Sequence, residues 1–312
     1  MVDFFDRIYT SISNKNILME KIRINSLIRF VIRLTANIIT PLYFSLTRNN
    51  KQHRLQVTAK REGRIIVSLT TFPPRIRRIW LVIESVMRQT QKPDRIVLWL
   101  SREQFPFNNL IPKKLIKQKE RGLEIRWVNG DIRSHKKYYY ALQEFPKDYL
   151  LTLDDDFLYR SKMVEDLSNY SNRYPKTVIS QYSKKIQWTE NQLESYSTWP
   201  TITEASFPNL SSFFGSGGGT LFPPFCLDSD VLNIKLFTSL TPTADDVWLN
   251  AMCRLKGTKI VKTSYYTERL PVIYLSCVSL ASINNGMNQN NVQILAVRDY
   301  YLKTRGIDPF SH

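Results

Sequence analysis

The stretch YLLTLDDDFLYR, Tyr149 to Arg160, decides how this chain is read. Tyr149 to Leu153 form a largely apolar run of the kind that suits a strand buried on both faces. The run stops at three adjacent carboxylates, Asp154, Asp155 and Asp156. Upstream of it, short apolar runs alternate with segments of helical spacing. RIIVSLTTFPPRI reads as a strand over Ile65 to Leu69 ending in a Thr-Thr-Phe-Pro-Pro turn. IRRIWLVIESVMRQT follows, with Ile79, Val82, Ile83 and Val86 on one helical face. DRIVLWLS and LEIRWV read as further strands, and IPKKLIKQKERG and SHKKYYYALQEF as helices closed by Gly122 and Pro146. Such alternation predicts βαβ units and a mostly parallel central sheet, an α/β class. In open sheets of this kind the ligand crevice lies at the carboxyl ends of the strands. Both the Thr70-Thr71-Phe72 turn and the acidic triplet fall at such ends.

Three carboxylates crowded at a strand end repel one another, and some would take up protons. A divalent cation relieves that repulsion and suits oxygen ligands. It can also bridge a diphosphate and neutralise charge on a leaving phosphate. The alternative is a solvated acidic turn, or a helix cap ahead of FLYRSKMVEDL. The rest of the composition narrows the choice. The three histidines, His53, His135 and His312, exclude a histidine-rich metal centre, so a metal would sit on oxygen. Cys226, Cys253 and Cys277 are far apart with no CxxC, which predicts reduced thiols rather than a disulfide framework or zinc site. The formal charge of +17 over 312 residues implies an anionic partner: nucleic acid, anionic lipid or a phosphorylated substrate. No basic repeat, zinc pattern or RNP-type motif accompanies it, so nucleic acid is not the expected partner.

Residues 1–60 read as a basic, amphipathic helical extension, and 61–312 as a catalytic domain. The extension has no signal-peptide pattern, and no uncharged apolar run approaches the roughly 18 residues that span a bilayer. On a helical wheel Ile24, Leu27, Ile28, Val31, Ile32, Leu34 and Ile38 share one side. Arg23, Asn25, Ser26, Arg29, Arg33 and Asn37 share the other. A basic amphipathic helix can lie in the interface of an anionic membrane. Its apolar face can equally pack on the catalytic domain or on another subunit.

Taken in order over about residues 64 to 300, these segments resemble a GT-A-type bacterial glycosyltransferase. LTLDDDF is similar to that family's Asp-x-Asp motif at the end of the fourth strand. VSLTTFPPRI stands where its first strand and nucleotide-contacting turn stand, and VIESVMRQTQKPDRIVLWLS resembles its helix and second strand. NGDIRSHKKYYYALQEFPKDYLLTLDDD matches the segment from the third strand to the metal motif. GSGGGTLFPP resembles the glycine-rich acceptor-side strand, and TADDVWLNAMCRLKG the helix start that carries the catalytic base of inverting members.

The resemblance implies a GT-A-like Rossmann-type sandwich. Its nucleotide-binding half would span about 64–160, its acceptor half about 177–280, and a C-terminal helix about 289–305. It implies Mn²⁺ or Mg²⁺ on Asp154 and Asp156, with Asp155 between them on the donor side. Thr70, Thr71, Phe72, Arg75, Asp131, Lys136 and Lys137 are the further donor-binding candidates. Asp131 can instead be a cap or loop acid, and Lys136 and Lys137 an ordinary solvated helix face. Asp246 is the expected catalytic base, with Asp245 beside it as a second catalytic candidate or a plain cap. Gly217, Gly218, Gly219 and Trp248 are expected on the acceptor side. The chain departs from many metal-dependent members in offering only His312 as a late histidine, so either the Asp residues and the diphosphate complete the shell or an Asn such as Asn284, Asn285 or Asn288 contributes. The expected activity is metal-dependent, inverting transfer from a nucleotide-sugar, a UDP-sugar by default. The acceptor would be a hydroxyl of a cell-surface glycan or lipid-linked molecule, at the cytoplasmic face of a bacterial membrane. A nucleotidyltransferase and a nucleic-acid-binding protein are the alternatives. The first usually carries a glycine-rich basic loop after its first strand, which TTFPPRI lacks.

Overall fold

The computed structural model describes residues 1–12, 24–55, 63–107, 111–190, 192–265, 268–274 and 289–311. The N-terminal part forms α1 (Val2–Ser11) and α2 (Ile24–Leu46). Then come β1 (Ile65–Thr70), α3 (Ile79–Met87), β2 (Arg95–Ser101), α4 (Lys113–Lys119), β3 (Leu123–Val128), α5 (Lys136–Glu144) and β4 (Tyr149–Leu153). Beyond the triplet follow α6 (Met163–Arg173), β5 (Val178–Ser180), β6 (Ser183–Lys185), β7 (Trp188–Thr189), β8 (Gln192–Leu193), β9 (Ser212–Phe214) and β10 (Gly218–Phe222). The last elements are α7 (Ile234–Leu240), α8 (Asp245–Leu255), β11 (Ile260–Lys262) and α9 (Gln289–Arg305).

Seven strands form the central sheet in the order β11-β5-β10-β4-β1-β2-β3. All neighbours pair parallel except β10, which runs antiparallel to both β4 and β5. The strands are apolar throughout because both faces are covered. In β1, Ile65, Val67 and Leu69 enter one core with α3, α4 and α6, while Ile66 enters the other with α5, α8 and α9. In β2, Ile96, Leu98 and Leu100 against Val97 and Trp99 divide the same way. This is the α/β architecture with a mostly parallel central sheet that the alternation called for. It brings the ends of β1 and β4 side by side, with Ser68 in register with Thr152.

The extension differs from expectation in two ways. Helix α2 continues through Pro41 to Leu46, 23 residues in all, and is long and apolar enough to cross a membrane by length and composition. More important is its orientation. The face that packs on the body carries Asn25, Ala36, Asn37, Thr40 and Phe44. Asn37 Nδ2 donates to Pro271 O (2.9 Å), and its Oδ1 accepts from Ile273 N (2.8 Å) and Arg78. The apolar face looks outward, with Leu27, Val31, Leu34, Ile38 and Leu42 exposed. Apart from Ile32, that face does not pack on the body. The Asn37 amide, which would otherwise be stranded at a protein contact, is satisfied there by hydrogen bonds, so the polar side can dock.

Candidate active site

A cavity of about 420 Å³ opens at the carboxyl ends of β1 and β4. It collects Thr70, Thr71, Phe72, Arg75, Asp131, Lys136, Lys137, Asp154, Asp155, Asp156, Gly217, Asp245 and Asp246, which come from nearly 180 residues of sequence. The triplet does not cap the next helix, since α6 starts only at Met163 with Lys162 at its cap position.

The three acids have three different surroundings. Asp155 is buried, and its carboxylate accepts from Thr71 Oγ1 (2.6 Å) and Arg75 Nη1 (2.5 Å). Its backbone carbonyl accepts from the Tyr274 hydroxyl (2.7 Å). Both carboxylate oxygens thus serve to lock the turn after β1 to the end of β4. Asp154 Oδ1 accepts from Lys137 Nζ at 2.8 Å. Asp156 Oδ2 lies 2.9 Å from Arg75 Nη1, while its Oδ1 is buried with no hydrogen-bond partner. Burial first, and then the charges of Asp154 and Asp155, push the Asp156 carboxyl up to about 7. An orphaned carboxylate oxygen in a field of like charges is what a hard divalent cation satisfies, so Asp154 and Asp156 suit Mn²⁺ or Mg²⁺. Among the described residues no group of three or more His, Cys, Asp or Glu side chains converges on one point. An ion held here would take its remaining oxygens from substrate or water.

Lys136 and Lys137 are both buried, so neither belongs to a solvated helix face. Lys136 pairs with Asp131, which also accepts from Gln104 Nε2 (2.6 Å) and from the Arg133 N–H (3.0 Å) in a local turn. Lys137 sits between Asp154 (2.8 Å) and Asp245 (2.9 Å). Burial alone would lower its pKa, but those two carboxylates overcome it and hold the amine raised and protonated. Its position is set from β1, where Ser68 Oγ donates to the Lys137 carbonyl (2.5 Å) and accepts from Trp99 Nε1 (2.8 Å). His135 is structural. Its Nε2 donates to Thr241 O (2.7 Å), so Nδ1 accepts from the Tyr138 hydroxyl (2.8 Å), and burial lowers its pKa to about 4.

Asp245 is not a cap. The cap position of α8 is Ala244, and the buried Asp245 carboxylate accepts from Ser216 Oγ (2.6 Å) and pairs with Lys137. Burial opposes its charge, but Lys137 dominates among the groups that hold its pKa below the ordinary value. Asp246 stands next to it on the cavity wall, and its Oδ1 accepts from the Val247 N–H (2.9 Å). Burial first, then the Asp245 charge, push Asp246 up to about 7.

Two acceptor-side expectations are corrected. Trp248 is fully buried in the core, where its Nε1 donates to Val231 O (3.2 Å) and its ring packs near Phe237 and Tyr301. The helical spacing points it away from the cavity that Asp245 and Asp246 face. Gly218 and Gly219 belong to β10 inside the sheet and pack against Tyr182 and Met163. Gly217 alone of the three lines the cavity, with Gly215 and Ser216. A methyl group on Gly217 would lie 1.7 Å from Asp154 Cγ, so only glycine lets that carboxylate lie where it does. Gly217→Ala is accordingly expected to displace Asp154 and reduce turnover by about 10²-fold with the melting temperature little changed; steady-state kinetics beside a thermal melt checks this.

Tyr182, Tyr196 and Arg269 also line the cavity, and no motif marks them. Arg269 is delivered by a zipper in which Leu158 N donates to Leu270 O (2.9 Å) and Val272 N to Asp156 O (2.8 Å). Its guanidinium lies over the rings of Tyr182 (4.0 Å) and Phe157 (4.7 Å), and its backbone is left-handed (φ 58°). Ser216 was legible only as part of GSGGG. Asn284, Asn285, Asn288, Cys277 and His312 lie outside the described residues; Cys226 and Cys253 are buried free thiols.

No protein-family model matches the sequence, and no curated protein does. Solved structures do share its general course. TarS of S. aureus (1-349, with UDP-GlcNAc) is 13% identical, covering 77% of this chain and 73% of its own, with a TM-score of 0.43. The mannosyltransferase PcManGT from Pyrobaculum calidifontis, with GDP-Man and Mn²⁺, is 10% identical, covering 90% and 77%, with a TM-score of 0.47. A 4-diphosphocytidyl-2C-methyl-D-erythritol synthase is 11% identical, covering 75% and 99%, with a TM-score of 0.42. Likenesses this distant decide nothing about activity, which has to be argued from the residues of the cavity.

Proposed function

We propose that the chain is a metal-dependent glycosyltransferase that moves a sugar from a nucleotide-sugar to an acceptor hydroxyl with inversion. The observation that carries this reading is Lys137, which ties Asp154 at the end of β4 to Asp245 at the start of α8. It sets an acidic, cation-seeking wall and a carboxylate of raised pKa on the same cavity. The metal would rest on Asp154 and Asp156, and when bound it supplies charge neutralisation at the leaving diphosphate. Thr70, Thr71 and Phe72, with Asp131 across the cavity, would hold the nucleoside. Asp246 would accept the proton of the acceptor hydroxyl as that oxygen attacks the anomeric carbon. A base poised near 7 suits that task at neutral pH. One displacement with a single base inverts the centre. The acceptor would be a cell-surface glycan or lipid-linked molecule, and a UDP-sugar is the first donor to try.

Nucleotidyl transfer is the weaker reading. The cation nearest the turn after β1 is Arg75, and it is engaged with Asp155 and Asp156 rather than held free for a triphosphate. The test is a panel of nucleotide-sugars with manganese, scored by released nucleoside diphosphate. Turnover of at least one donor is expected, falling below detection in EDTA and in Asp156→Asn. Release of pyrophosphate from a nucleoside triphosphate and a sugar phosphate, with no use of nucleotide-sugars, would overturn the reading.

A further inference from the structure

We propose that α2 seats the protein on an anionic lipid bilayer, lying in the interface with its outward face in the acyl boundary. Three observations carry this, and none depends on the chemistry of the cavity. The first is the pattern of exposure. Leu27 (62%), Val31 (52%), Ile38 (56%) and Leu42 (60%) recur at helical spacing on one side, a continuous apolar stripe turned to solvent. The second is what fixes that orientation. On the opposite side Arg29 Nε donates to Ile12 O (2.8 Å) and its guanidinium faces Glu268 (3.6 Å), while Asn37 is held by residues 271 and 273. The helix is roughly 35 Å long, enough to span a bilayer. Spanning would pull these polar contacts into hydrocarbon, where each lost bond costs heavily, so the helix lies along the surface instead. The third is charge. From residue 21 to residue 61 the sequence has nine Lys and Arg and no Asp or Glu. Arg48, just past the end of α2, and Arg78, which donates to Asn37, lie close enough to Lys114 that burial and these two charges lower its pKa. A segment rich in cations and free of acids that carries an exposed apolar stripe matches an anionic headgroup layer above acyl chains. A second copy of the chain would bring the same cations against each other.

The test uses the full chain and vesicles of phosphatidylcholine, with or without phosphatidylglycerol, in a flotation assay. The protein is expected to float with the anionic vesicles, to remain in the load with the neutral ones, and to be released by salt. Leu27→Glu with Ile38→Glu is expected to weaken partitioning by on the order of tenfold per side chain, about a hundredfold together. Both side chains are exposed, so an unchanged thermal melt is expected. The wild-type lipid and salt comparison stands whether or not the variant folds. Equal flotation on both vesicle types, unchanged flotation of the variant, or resistance to carbonate extraction would overturn the proposal. So would a wild-type dimer that ignores vesicles and dissociates in the variant.

Discussion

Asp246→Asn is expected to lower kcat by about 10²- to 10⁴-fold while leaving donor affinity and fold in place. Asparagine keeps the shape of the side chain and can still accept from the Val247 N–H, so the change at the helix start should cost about 1 kcal/mol or less. It cannot take up a proton. The wild-type pH profile carries the same information. The groups facing Asp246 are Asp245 on its own helix, Lys137 of α5 and Asp154 at the end of β4; Tyr196 and Arg269 share the cavity. Burial and the Asp245 charge win over Lys137 and place the carboxyl at about 7. Below that pH the base is protonated and kcat should fall by about tenfold per pH unit. The Asn variant should lack that limb. A normal kcat in Asp246→Asn would leave the residue no catalytic role, and a product of retained configuration would overturn the single-displacement mechanism.

Lys137→Met is expected to destabilise the protein by about 3–5 kcal/mol. The substitution leaves two carboxylates facing each other with no counter-charge. Asp245 is 9% exposed and Asp154 37%, so solvent screens Asp154 and the larger share of the loss falls on Asp245. The folded pKa of Lys137 is raised. Its contribution is therefore fully present below the ordinary lysine pKa and fades only as pH rises through the folded value. Neutral pH samples it completely. Adding Asp245→Asn to Lys137→Met should recover part of the loss, because the unpaired buried charge is gone. Urea denaturation of the two variants measures both effects. A loss under about 1 kcal/mol in Lys137→Met would mean that the bridge does not hold β4 and α8 together.

The elements of residues 64–160 were legible because each buried strand is a bounded apolar run and each helix keeps its spacing. Ile65 to Leu69, Leu123 to Val128 and Tyr149 to Leu153 needed no further signal. That Asp154, Asp156 and Asp246 would share one cavity was legible because adjacent carboxylates stand at element ends of the expected sheet. The role of Lys137 was not legible. Its partners lie 17 and 108 residues away, and only the sheet brings them together. Trp248 misled because proximity to Asp246 in sequence is the opposite of proximity in space on a helix that buries one face. Tyr182, Tyr196 and Arg269 arrive on irregular segments, which carry no periodicity to read. For α2 the wheel separated the two faces correctly, but local amphipathicity says nothing about which face the body takes. That depended on partners for Asn37 more than 230 residues away.

The most direct test of the central claim is manganese binding followed by electron paramagnetic resonance, with and without a nucleoside diphosphate. If the two acids serve the metal and the base separately, one Mn²⁺ per chain is expected in the presence of the nucleotide, lost in Asp156→Ala and retained in Asp246→Asn. No bound manganese with the nucleotide present, or equal binding by Asp156→Ala, would contradict the account.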